Sequence, residues 1–324
     1  MQATTQHPIR IRRRNDSAGL GVSERRLRML VEHGVIHRVV AGSYAWKEDW
    51  RKLTPLQRHL ARVLEVADRS RAPQVFMGAA AAAIWDMDRI GSWPDRVEVR
   101  IARATGGRTS GDVRRRALGF EGVQLVEWRG HLVTSPAQTA IDLAADSGFT
   151  AGVVAVDQAL WARRRAGALA QVDELWQVFE RHSRRGFLKA ADALRFGTPS
   201  ADSVRESEAR VLIRALGFPA PELQHPFRLP SGKRVRTDFY FADFDHVGEF
   251  DGTGKYFDPE ILDGRTPEQA LLEEKDREDE LRRVVKRVSR WRTDAHKDPA
   301  KLYDILTAAG LPSRLPRPRS AMRW

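Results

Sequence analysis

The chain has 324 residues, no cysteine, and 55 Lys and Arg against 43 Asp and Glu, a formal net charge of +12. The absence of cysteine excludes disulfides and thiolate metal sites and fits a reducing cytoplasm. The length implies two or three domains, and the charge excess favours a polyanionic partner, usually nucleic acid. The first residues, Met1 to His7, have no apolar run of the kind a signal peptide carries. The longest small-apolar run, Met77 to Trp85, is too short to span a bilayer. A cytoplasmic protein without membrane association is expected.

In chain order, Gly21-Val22 leads to Ser23, a good N-cap, and Leu27, Leu30 and Val31 then recur at helical spacing up to Gly34. Val35 to Val40, a break at Gly42-Ser43, and Tyr44 to Trp46 read as two short strands. Helix, glycine, strand, turn, strand is the outline of a winged helix-turn-helix over residues 1–52. The run Leu-Val-Glu-His-Gly-Val-Ile-His-Arg-Val-Val-Ala-Gly-Ser-Tyr resembles the N-terminal domain of AbiEi-type antitoxins of type IV toxin–antitoxin systems. On that resemblance Ser23 to His33 is a recognition helix, with Arg25, Arg26 and Arg28 facing a major groove. Arg38 and the Gly42-Ser43 tip form the wing. Arg10, Arg12, Arg13 and Arg14 form a basic arm on phosphate or a minor groove.

Residues 53–196 read as an α+β middle region. Leu53 to Ala67 is a predicted helix, and Phe76 to Trp85 a second, packed through Ala79–Ala83. Arg96 to Ile101 alternates strictly, so a strand with one wet face is expected, and Val123 to Trp128 is another strand. Ser135 caps a helix that opens on Pro136. Residues 151–195 read as helical, with Trp161, Leu175, Trp176 and Phe179 as packing residues. This order resembles the region after the winged helix in AbiEi-like antitoxins. The resemblance implies an autorepressor that binds DNA, has a cognate toxin protein as partner, and leaves a homodimer open. Gly197-Thr198-Pro199-Ser200 is the linker candidate.

The segment Arg236 to Tyr256 is the richest in chemistry. Asp238 opens one apolar run, Glu249 and Asp251 lie in a second, and Lys255 follows, with turns at Gly232 and Asp243–Asp245. Two strands in a hairpin or meander are expected. Residues two apart on a strand share a face, so Glu249 and Asp251 project together and Asp238 meets them from its neighbour. Three converging carboxylates require a positive occupant, and a hard cation such as Mg²⁺ prefers oxygen ligands. The nine His residues are scattered and give no zinc pattern. Gly248 to Gly254 lacks the ending of a phosphate loop.

The pattern Asp-(x)n-Glu-x-Asp-Gly-x-x-Lys-Tyr resembles the core of the restriction-endonuclease-like, PD-(D/E)XK, superfamily, and more closely its branch near the very-short-patch repair nucleases. Ser203 to Arg210 is similar to that family's first helix, with its glutamate at Glu206, and Glu274 to Arg282 and Val288 to Trp291 to its last helix and strand. The resemblance implies a C-terminal α/β nuclease-fold domain over residues 200–324 and metal-dependent hydrolysis of DNA phosphodiesters in defence or repair. It implies Asp238 and Glu249 as ligands of Mg²⁺ or Mn²⁺, with Asp251 a further ligand or a support for Lys255. Glu206 would hold a metal-bound water or second ion, and Lys255 would stabilise the phosphorane charge. The family's usual lysine lies two residues after the second acid, where this chain has Asp251. That departure keeps a second reading open: a repressor or antitoxin whose nuclease-fold domain no longer cleaves.

Overall fold

The computed structural model describes residues 3–13, 23–181, 186–252 and 266–319. The chain is a mixed α/β protein that divides into two units, Met1–Pro199 and Ser200–Trp324. Among the described residues no helix is long and apolar enough to cross a membrane.

The first unit begins with a three-stranded antiparallel sheet ordered β1-β3-β2, from β1 (Arg12–Arg13), β2 (Ile36–Val40) and β3 (Ser43–Trp46). Helix α1 (Glu24–Glu32) starts as expected at Ser23, whose hydroxyl accepts from the Arg26 N–H. Gly34 turns out of it at φ +69°, a conformation that favours glycine. Two helices follow, α2 (Lys47–Lys52) and α3 (Pro55–Arg69). The second is set by a reciprocal cap between Thr54 and Gln57, with Pro55 at its first turn. Val39, Ala45, Trp50, Leu53 and Ala61 form the local core, with Ile9 and Ile11 packed against it.

The same unit holds a six-stranded sheet ordered β6-β7-β5-β4-β9-β8. Its strands are β4 (Val75–Phe76), β5 (Val97–Ile101), β6 (Arg108–Ser110), β7 (Val113–Ala117), β8 (Leu125–Trp128) and β9 (His131–Thr134). Helices α4 (Gly78–Ile84), α5 (Pro136–Asp146), α6 (Phe149–Leu160), α7 (Val172–Glu180) and α8 (Phe187–Phe196) accompany it. Two expectations are corrected. Residues 76–85 are not one helix, because Phe76 pairs with Val99 and Val133 as a strand before α4 begins. Nor has β5 a wet face. Glu98 is buried beside Arg114 and Arg116, and Arg100 is buried in an ion pair of 3.2 Å with Asp142. Partners on other elements make the alternating charges inward-facing, as buried charge requires.

Residues 3–13 run across both sheets of this unit. The Thr4 N–H donates to Ile84 O at 2.8 Å, and the Trp128 indole donates to Thr4 O at 2.9 Å. Residues 1–52 and 53–196 thus lie within one unit.

Among its described residues the second unit runs helix, three strands, helix, strand: α9 (Val204–Ala215), β10 (Glu222–Arg228), β11 (Arg234–Phe241), β12 (His246–Phe250), α10 (Pro267–Val284) and β13 (Arg287–Trp291). Two short helices, α11 (Thr293–Lys297) and α12 (Pro299–Ala308), close it. The sheet order is β10-β11-β12-β13, antiparallel except for the parallel β12–β13 pair. One core packs Leu212 and Ile213 of α9, with Leu216 at its C-cap, against Phe239, Phe241, Phe250 and Trp291. Another joins Val247 to Leu281 and Val285. With both faces covered, every residue of β12 is buried, as expected of a central strand.

Candidate functional site

Glu206 lies in the first turn of α9. Its N-cap Ser203 accepts from the Glu206 N–H at 3.1 Å, and the same hydroxyl donates back to Oε1 at 2.9 Å. The Asp202 N–H donates to Oε2 at 3.0 Å. These local bonds fix the carboxylate of a residue that is 7% exposed. Asp238, in β11, accepts from the Phe250 N–H at 2.8 Å. It thereby caps the edge where β11 and β12 stop pairing. The amide of Gln224 in β10 reaches both acids, donating to Glu206 Oε2 at 2.9 Å and to Asp238 Oδ1 at 3.5 Å. Three elements distant in sequence therefore bring Glu206 and Asp238 together.

Like charges this close resist joint ionisation. Burial, and then the charge of Asp238, push the Glu206 carboxyl up to about 7. Glu206 therefore takes up a proton near neutrality. The pair's donors are all oxygen, the set a hard divalent ion takes. These two residues fit such an ion.

Glu249 does not join them, contrary to the expectation of three converging carboxylates. Both terminal nitrogens of Arg277 in α10 donate to it, at 2.8 and 3.0 Å, and Arg290 in β13 donates at 2.9 Å. Glu274 extends the cluster, 2.7 Å from Arg277 and 2.6 Å from Arg290. Although burial works the other way, the hydrogen bonds and charge of Arg277, with those of Arg290, hold Glu274 down to about 2. Two guanidiniums already neutralise Glu249, so as a metal ligand it does not fit. Asp251 accepts two hydrogen bonds from Arg292, at 2.9 and 3.0 Å, while its N–H continues the β12–β13 pairing to Trp291 O. Lys255 lies outside the described residues.

The expected DNA-contact residues divide as well. Arg25, Arg26 and Arg28 on α1 and Arg38 on β2 are exposed, and Ser23 is the helix cap. Arg13 is corrected: it is not a free arm. It donates to Glu65 at 2.8 and 3.1 Å and to Asp68 at 2.7 Å. Glu65 is fully buried, so Arg13 is its counter-ion. Arg12 lies over the Trp46 ring, 5.1 Å from its centroid. Arg14 lies outside the described residues. Among the described residues, His7, Glu65 and Asp68 are the one group of three potential ligands gathered within 4.8 Å. Arg13 and Arg129, the latter 2.6 Å from Asp68, already balance that charge.

Sequence reasoning missed Gln224, Arg277 and Arg290. A neutral residue in a strand carries no visible signal. The two arginines sit in the helix and strand matched to the nuclease pattern, yet their target Glu249 is 28 and 41 residues away.

No family model matches the chain. It is similar to two Mycobacterium tuberculosis proteins named as uncharacterized, MT2308 of strain CDC 1551 and Rv2248 of strain H37Rv. Each is 32% identical over 146 residues, 45% of this chain and 52% of the relative. The chain thus spans about half the length of the curated relatives it matches.

Proposed function

We propose that this is a DNA-binding protein whose C-terminal unit is a restriction-endonuclease-like domain hydrolysing DNA phosphodiesters with Mg²⁺ or Mn²⁺. The observation that carries the reading is the meeting of Glu206 and Asp238, from α9 and β11, under one bridging amide. The order helix, three antiparallel strands, helix, parallel strand supports it. Asp238, oriented by the Phe250 N–H, and Glu206, oriented by Ser203 and Asp202, are the cation's ligands. A divalent ion held there supplies an activated water and neutralises charge on the phosphate. Glu249 braces β12 against α10 and β13 and is not a ligand. Lys255 keeps its proposed part, stabilising charge on the phosphate. The N-terminal unit carries the winged helix, with Arg25, Arg26, Arg28 and Arg38 as its DNA contacts. Incubation of the protein with plasmid and single-stranded DNA, with Mg²⁺, Mn²⁺ or EDTA, tests this. Metal-dependent cleavage supports the reading.

The neutralisation of Glu249 by Arg277 and Arg290 favours a second reading. There the protein is an AbiEi-like repressor or antitoxin with a dormant nuclease-fold domain, a cognate toxin as partner, and self-association as a dimer. Retarded but intact DNA under every metal condition supports that outcome.

A further inference from the structure

Gln224 stands apart in both backbone and side chain. It lies opposite Asp238 in the β10–β11 ladder, between the pairs Leu223–Phe239 and His225–Thr237. Its φ is +54°, in the left-handed region that residues with a Cβ enter at a cost. Its flanks hold it there. Leu223 packs on the core that contains Phe239 and Phe250. The His225 ring lies 4.5 Å from that of Tyr240 and 4.9 Å from that of Phe227. The ladder is intact on both sides, so the left-handed turn re-aims one side chain without shifting the register. Residues held off their backbone minimum by well-packed neighbours cluster at functional sites.

The re-aimed amide meets Glu206 at 2.9 Å and Asp238 at 3.5 Å. An amide nitrogen carries two hydrogens and no charge, so it can serve both carboxylates and leave their charge in place. An arginine there would neutralise the pair, as Arg277 and Arg290 do Glu249. A glutamate would add a third repelling charge.

We propose that Gln224 is a positioning residue that holds Glu206 and Asp238 side by side as the donor pair for a divalent cation. This rests on the reading of that pair as a cation site. The test titrates the full chain with Mn²⁺ by calorimetry, comparing wild type, Gln224→Gly, Gln224→Asn and Asp238→Ala, with circular dichroism to establish folding. Glycine accepts the left-handed φ freely, and asparagine tolerates it while falling one methylene short. A merely structural residue would therefore leave Mn²⁺ affinity unchanged in both. The expected result is binding weakened about tenfold in both folded variants, the usual effect of losing the outer partner of a metal ligand, and no binding in Asp238→Ala. Wild-type affinity in the folded Gln224 variants, with binding abolished in Asp238→Ala, overturns the role of Gln224 and leaves the cation site standing. A wild-type protein that binds no Mn²⁺, or binds it equally in Asp238→Ala, overturns both.

Discussion

The carboxylate of Glu249 is gripped by Arg277, whose terminal nitrogens lie 2.8 and 3.0 Å from its oxygens. The grip ties the central strand β12 to α10, and Arg290 ties the same carboxylate to β13. A residue that motif spacing assigns to metal chemistry is thus ion-paired to a neighbouring helix and strand.

Removing the brace should cost stability. In Glu249→Ala two half-buried guanidiniums lose one of their two shared counter-charges. Breaking one side of a buried pair costs about 3–5 kcal/mol. Arg277 and Arg290 retain Glu274, so a loss near the lower end, about 3 kcal/mol, is expected in urea unfolding of the C-terminal unit. A change below about 0.5 kcal/mol, the usual size for an unimportant surface site, would sink the bracing role.

The arginines of the N-terminal unit should separate by role. Arg13→Ala leaves the buried Glu65 short of a counter-ion, so it lowers the melting temperature. Arg25→Ala and Arg28→Ala remove exposed charges, so they leave the melting temperature unchanged and weaken DNA binding. Each should also flatten the dependence of log K on log salt by about 1, the effect of losing one phosphate contact. An unchanged salt slope in the double variant would remove α1 from the DNA surface.

His59 gives the N-terminal unit a pH dependence. Burial, followed by the charge of Arg62, pushes its imidazole down to about 3, while its Nδ1 lies 3.0 Å from the Pro94 carbonyl oxygen. In the unfolded chain it titrates near 6.5. Between these values the unfolded state binds a proton that the folded state refuses. The contribution is therefore complete above about pH 6.5 and is lost as pH falls, by about 1.4 kcal/mol per unit. Thermal unfolding at descending pH should show a slope that is shallower in His59→Gln. Parallel slopes in the two proteins would contradict it.

Gly248 is required by a close approach. A Cβ there would come within 2.7 Å of the Trp291 ring, across the paired strands β12 and β13. Gly248→Ala should destabilise the C-terminal unit by about 1–3 kcal/mol, the usual cost of overpacking, as read by its melting temperature.

What was legible in the sequence was local. Ser23 and Ser135-Pro136 start helices through bonds within a few residues. Gly34, Gly232 and Asp245 take the left-handed φ of turns. What failed depended on distance. Arg100 meets Asp142 from 42 residues away, which turns the expected wet face of β5 inward. Phe76 leaves the helical pattern because Val99 and Val133 claim it as a strand. At the candidate site, Asp238 and Glu206 were legible as acids of a pattern. The partner of each acid was not, since Gln224, Arg277, Arg290 and Arg292 all arrive through the sheet topology.

The central claim is that Asp238 and Glu206, and not Glu249, hold the cation for phosphodiester hydrolysis. It is tested most directly by plasmid nicking in Mn²⁺ by wild type, Asp238→Asn, Glu206→Gln and Glu249→Gln, below the melting temperature of each. Nicking by wild type and by Glu249→Gln, lost in the other two variants, is the predicted result. A folded Glu249→Gln that has lost all nicking, or a wild type that leaves the plasmid intact, would contradict it.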